Sequence, residues 1–176
     1  MTNFIRSSVS FCILFLFLYT SVINAQGFNS ITTPDGTNII AVGNSGKLYR
    51  SASGGVTYTS ATVSGAPNLY AVTSFGNDVW LTGQNGNVYK TLKTTSPIST
   101  YNVGSSATLN SITFLNSNTG FVCGDGGVVY KSVNGGVNWT SSNSGISSVK
   151  LNSISFQDNN NGTIVANSGT IYITSD

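Results

Sequence analysis

One unit is written four times along this chain, and no other feature limits its fold so tightly. A tyrosine recurs as Tyr49, Tyr89, Tyr130 and Tyr172, at spacings of 40, 41 and 42 residues. Around it lie VGNSGKLYR (42–50), TGQNGNVYK (82–90), CGDGGVVYK (123–131) and VANSGTIYI (165–173). Each unit opens on related residues: FNSIT at Phe28, LYAVT at Leu69, LNSIT at Leu109 and LNSIS at Leu151. A period near 40 residues marks stacked units, none of which buries an apolar face without a neighbour.

Within a unit, short β-branched or aromatic runs alternate with Gly, Asn and Asp clusters. Such clusters supply the positive φ that tight hairpins need. In the first copy the pattern predicts strands over 31–33, 38–42, 47–50 and 57–63, with turns at Pro34-Asp35-Gly36, Asn44-Ser45-Gly46 and 51–55. In the third copy the runs are Leu109 to Phe114, Phe121 to Cys123 and Val128 to Lys131. Four short antiparallel strands in about 40 residues make one propeller blade, and the length is too great for one coil of a solenoid. The expected fold is all-β, a β-propeller whose blades span 28–68, 69–108, 109–150 and 151–176, within a domain over 26–176.

Composition agrees. The chain is 7% charged with 20 Gly, no His and no Glu, and its 11% aromatic content argues against disorder. A net charge of +2 without a basic run gives no footing for nucleic acid or for anionic lipid.

Residues 1–25 read as a signal peptide. Arg6 precedes an apolar core from Phe11 to Tyr19, and Ala25 offers a cleavage point before Gln26. That core is far shorter than the about twenty residues of a membrane span. The expected location is outside the cytoplasm: secreted, periplasmic or at the cell surface, with no stable membrane span after processing. Cys12 would leave with the leader, so Cys123 would be the one mature cysteine, read as a small core residue.

Lys131, Ser132, Val133, Asn134, Gly135, Gly136, Val137, Asn138 and Trp139 together resemble an Asp-box, the bacterial neuraminidase repeat of pattern Ser-x-Asp-x-Gly-x-Thr-Trp. The longer unit at 151–176 is similar to the blade of the photosystem II stability/assembly factor family, and this resemblance covers Phe28 to Asp176. The chain departs from the box at its Asp position, where it has Ser53, Asn134 and Asp176, and copy two has lost the motif. The box aromatic stands as Tyr58 and Trp139, with Ile98 in copy two. The resemblance implies a structural box built from Ser51, Ser53, Tyr58, Ser132, Asn134, Gly136, Trp139 and Asp176. Plant and cyanobacterial members of that family hold a newly made reaction-centre subunit during photosystem II assembly, so the resemblance also implies a protein partner. The candidate binding residues are Arg50, Lys90 and Lys131, which follow the tyrosine in three successive blades and fall on one arc, either as solvated strand-end charges or as a contact for an acidic or carboxylate-bearing partner.

Catalysis has little to work with. Sialidase chemistry on a similar propeller needs an arginine cluster and a Tyr–Glu pair, and the chain beyond residue 25 has one arginine and no Glu. Paired Asp residues would suit a glycosidase, but Asp35, Asp78, Asp125 and Asp158 all sit in turn sequences. No metal-ligand spacing or phosphate loop is present, and no cofactor is expected. The sequons Asn138 to Thr140 and Asn161 to Thr163 read as coincidence in an Asn- and Thr-rich chain. The expected function is an exported, non-catalytic interaction scaffold. The alternative is a carbohydrate-binding or glycoside-hydrolase-type propeller fragment.

Copy four stops at Asp176, where copy three runs on to Trp139, which gives about three and a half blades. Three accounts stand open: a truncated product, two chains closing one ring of seven blades, or a strained four-blade ring closed by the N-terminal strand. An open blade edge also invites self-association.

Overall fold

The computed structural model describes residues 27–95, 97–142 and 145–175. The leader over 1–25, Gln26 and the box position Asp176 lie outside them. The described residues form four antiparallel sheets, each a meander in chain order. Blade 1 holds β1 (Phe28–Thr32), β2 (Ile39–Gly43), β3 (Lys47–Ser51) and β4 (Thr59–Thr62). Blade 2 holds β5 (Leu69–Phe75), β6 (Asp78–Gly83), β7 (Asn87–Leu92) and β8 (Ser99–Asn102). Blade 3 holds β9 (Leu109–Phe114), β10 (Gly120–Gly124), β11 (Val129–Ser132) and β12 (Thr140–Ser141). Blade 4 has three strands among the described residues: β13 (Leu151–Phe156), β14 (Asn161–Ala166) and β15 (Ile171–Ser175). These are propeller blades, and the set is an incomplete propeller.

The four tyrosines sit at one register position. Tyr49 pairs with Ala41, Tyr89 with Leu81, Tyr130 with Val122 and Tyr172 with Ile164. The second and third strands of each blade are joined by a turn with two consecutive residues at positive φ: Ser45 and Gly46, Asn85 and Gly86, Gly126 and Gly127, Ser168 and Gly169. Left-handed backbone at both central positions matches the twist of the flanking strands.

Strand ends differ from the sequence expectation where side chains claim the backbone. The first strand runs 28–32 instead of 31–33. The second begins at Ile39, because Asp35 accepts hydrogen bonds from the Thr37 and Asn38 amides and holds them in the turn. The fourth is shorter than 57–63 at its start, where the Thr57 amide donates to Ser53 Oγ.

Every first strand carries a β-bulge at its second residue. The register slips between Phe28 and Ser30, Leu69 and Ala71, opposite Gly124 between Leu109 and Ser111, and between Leu151 and Ser153. A bulge re-aims one side chain out of the alternation. Asn29 thereby donates to the carbonyl of Leu69 in blade 2 (2.8 Å), and Asn110 to that of Leu151 in blade 4 (2.8 Å). The next residue acts in the other direction, with Ser30 Oγ accepting from the Val72 amide and Ser111 Oγ from the Ile154 amide.

Between these polar links the blades stack on apolar faces, and each core cluster joins the back of one blade to the front of the next. Ile40, Val42 and Leu48 meet Leu69, Val72, Leu81 and Tyr89. Trp80 and Val88 meet Leu109, Ile112 and Val122, while Phe121, Cys123 and Val129 meet Leu151, Ile154 and Ile164. Each such side chain gains about 1.5–3 kcal/mol from leaving water, an amount no blade collects alone. Cys123 is a buried free thiol, and burial pushes its pKa up to about 12.

Candidate functional site

The seam between successive blades decides where each expected site residue lies. Arg50, Lys90 and Lys131 occupy the third strand two residues beyond Leu48, Val88 and Val129, so alternation points all three toward the next blade. Arg50 crosses the first seam, donating from Nη2 to Thr91 Oγ1 (2.9 Å) and to the Thr95 carbonyl (3.4 Å). Lys90 pairs with Asp78 at 3.0 Å and lies over the Trp80 ring, 5.0 Å from its centroid. Lys131 lies over Phe121 at 5.2 Å and pairs with no carboxylate among the described residues. The three cations are equivalent in register, but Arg50 and Lys90 meet polar groups of the chain while Lys131 lies over an aromatic ring.

The box residues lock the turn after the third strand. Ser51 Oγ accepts from the Ser53 and Gly55 amides, and Ser132 Oγ from those of Asn134 and Gly136. Asn134 Oδ1 in turn accepts from the Asn138 amide, and the Trp139 indole donates to the Gly136 carbonyl. In blade 1 the turn closes near Tyr58, whose hydroxyl stands against Gly55.

Trp139 has a second task. In the seam between blades 2 and 3, Trp80 stacks on Phe114 (3.7 Å, 10°) and Trp139 closes edge-on against Phe114 (6.0 Å, 85°). Ile98, its counterpart in blade 2, packs into the first seam. The seam between blades 3 and 4 repeats the stack as Phe121 on Phe156 (3.7 Å, 5°). Here no described residue takes the place of Ile98 or Trp139. A cavity of about 520 Å³ stands there instead, walled by Phe121, Val129, Lys131, Phe156, Tyr172 and Ile173. Beside it runs the outer edge of β15. The equivalent edges of β3, β7 and β11 pair with a fourth strand, while that of β15 has no paired strand among the described residues. The cavity and the Lys131 ammonium thus lie beside a strand that no further strand pairs among the described residues.

A second, more polar cavity of about 490 Å³ is lined by Tyr70, Gln84, Asn110, Asp125, Lys150 and Asn152. Its one carboxylate is taken up by Asn110 (2.8 Å) and Lys150 (3.9 Å). Among the described residues no three His, Cys, Asp or Glu side chains converge as for a metal, and no helix is long and apolar enough to cross a membrane.

The remaining carboxylates are turn and seam residues. Asp35 accepts from its own turn and from Lys93 of blade 2 (2.8 Å), and Asp158 caps the Asn160 and Asn161 amides. The Lys93 ammonium, then the Asn38 amide and side chain, hold the Asp35 carboxyl well below the usual carboxylate range. Hydrogen bonds from Asn161 and Asn160 lower that of Asp158 as well. A carboxylate more acidic folded than unfolded stabilises above its ordinary pKa and loses that contribution as pH falls through the folded value. Below pH about 4, Asp35→Asn is therefore expected to lose stability less steeply than wild type, read from thermal midpoints between pH 2 and 7.

No protein-family model matches the sequence, and no curated protein sequence does. Solved structures do match. YCF48 from Cyanidioschyzon merolae superposes with a TM-score of 0.68 at 18% identity, over 84% of this chain and 50% of that one. A structure of YCF48 bound to D1 peptide gives 0.61 at 15% identity, over 86% and 65%. The computationally designed Ika4 protein gives 0.70 at 13% identity, over 86% and 92%. The chain thus spans half to two-thirds of the YCF48 chains it matches. At these identities what is shared is the fold, and the chain is a β-propeller.

Proposed function

We infer that this chain is an exported, non-catalytic scaffold that captures an extended segment of another protein. The segment adds as a strand to β15 and sets a large apolar side chain into the slot between Phe121, Phe156 and Tyr172. Lys131 takes a carboxylate on the segment, either an acidic side chain or the chain terminus. One observation carries this reading: an apolar cavity of about 520 Å³ lies against the Phe121–Phe156 stack with Lys131 on its wall. The similarity to a YCF48 structure solved with a peptide supports a protein partner and a photosystem II assembly factor-like role.

Fluorescence anisotropy with labelled extended peptides tests it. Peptides bearing an aromatic residue near a free carboxylate are expected to bind. Lys131→Ser should weaken them about fivefold or more, the loss of roughly one charge-assisted contact. Arg50→Ser and Lys90→Ser should leave them unchanged. Binding on a glycan array with none to peptides contradicts the reading and favours the carbohydrate alternative. Export is read separately, from the N-terminal residue of the chain recovered outside the cytoplasm, expected to be Gln26.

A further inference from the structure

Four of the large apolar side chains exposed on this chain, Phe28, Ile31, Val165 and Ile171, lie on the two end faces of the blade stack, at positions that are buried wherever a neighbouring blade is present. On the back of blade 4, Ile171 is 62% exposed, while its equivalents Leu48, Val88 and Val129 are at most 5%. Val165 is exposed there too, where Val42 and Cys123 are sealed, and Ile173 follows on the same strand face. On the front of blade 1, Ile31 is 63% exposed against at most 8% for Val72, Ile112 and Ile154. Phe28 is 40% exposed, where Leu69, Leu109 and Leu151 are fully buried.

The polar links are duplicated as well. Asn152 and Ser153 stand where Asn29 with Ser30, and Asn110 with Ser111, tie down the following blade. Asn152 already donates to Asn167 Oδ1, as Asn29 does to Asn44 Oδ1. The acceptor that Asn29 and Asn110 also reach is the first carbonyl of the next blade, and blade 1 offers that group at Phe28.

We propose that the back of blade 4 docks on the front of blade 1 of a second copy, and that the reciprocal contact closes a two-chain ring. The interface continues the three inside the chain residue by residue. Asn152 Nδ2 donates to the second copy's Phe28 carbonyl, and Ser153 Oγ accepts from its Ile31 amide. Ile171 and Val165 pack against its Ile31 and Phe28. Four sheets per chain give a ring of eight blades in place of the seven that three and a half blades suggested, within the four to eight typical of closed propellers. A head-to-tail contact of this kind yields a ring when its rotation closes and a filament when it does not. The edge of β15 stays on the rim, so the ring is independent of the peptide reading.

Sedimentation equilibrium of the purified full chain tests it, with circular dichroism confirming the fold. Wild type is expected at twice the chain mass, with Ile31→Lys and Ile171→Glu each at the single-chain mass and still folded. Mixing these two variants should restore the doubled mass, because one of the two contacts then joins Lys to Glu while the other is wild type. Ser153→Arg probes the same face should either variant fail to fold. A single-chain mass for wild type overturns the proposal and leaves the end faces to further blades of a longer polypeptide. A doubled mass insensitive to all three substitutions overturns it in favour of edge pairing, and an open-ended series of masses overturns the ring.

Discussion

Trp80→Ala is expected to lower the thermal midpoint of this protein by about 10 °C. The indole is fully buried and stacked at 3.7 Å on Phe114, and its Nε1 donates to the Gly135 carbonyl at 2.9 Å. Truncation opens a cavity in the middle seam and leaves that carbonyl without its donor. Large-to-small changes of this kind cost about 3–5 kcal/mol, and each kcal/mol moves the midpoint of a domain this size by about 2–4 °C. Trp80→Phe separates the two contributions. It keeps a ring on Phe114 but loses the hydrogen bond, about 1–2 kcal/mol, together with part of the indole's buried volume, and so is expected to cost less than Trp80→Ala. Equal losses for the two variants in a thermal melt would contradict the stacking account.

Gly86→Val is expected to cost about 3 kcal/mol or more, although the site is a hairpin turn. Gly86 has φ of +64°, and a Cβ there would run into the Ser105 carbonyl. The backbone has no freedom to retreat, because the Gly86 amide donates to the Ala107 carbonyl (2.9 Å) and its own carbonyl accepts from the Val103 amide (3.0 Å). A β-branched residue combines the left-handed penalty with that collision. Gly104 is the control: its φ is +85°, but nothing lies within 4 Å of its Cβ position. Gly104→Ala should cost only about 1 kcal/mol, the price of left-handed backbone alone. Chemical denaturation of both variants measures the difference.

The blades were legible because they rest on local chemistry. The spacing of the four tyrosines, and the paired positive-φ positions at turns such as Asn44-Ser45-Gly46, follow from residue type alone. The bulge was not read, yet its mark is in the sequence. Leu109 and Ile112 are three residues apart and both buried, which strict strand alternation forbids and one extra residue between them allows. The setting of the cations was missed for a related reason. Arg50 lies two residues from Leu48, hence on the same face, and alternation alone would have turned it into the seam rather than onto an outer arc. What no local pattern supplies is the neighbour. That Asn29 reaches Leu69, 40 residues on, depends on how one blade lies upon the next. The same holds for the slot by Phe121, which is visible only against the filled seam beside it.

Amide hydrogen exchange at Val72 and Ile154 tests the stacked-blade account most directly, because each of these N–H groups donates across a seam to a serine hydroxyl of the preceding blade. If the blades form one body through their seams, both amides exchange as slowly as those of the central strands β6 and β14. Exchange at the rate of an unstructured peptide, with β6 and β14 still protected, would mean four sheets that fold separately and would contradict the account.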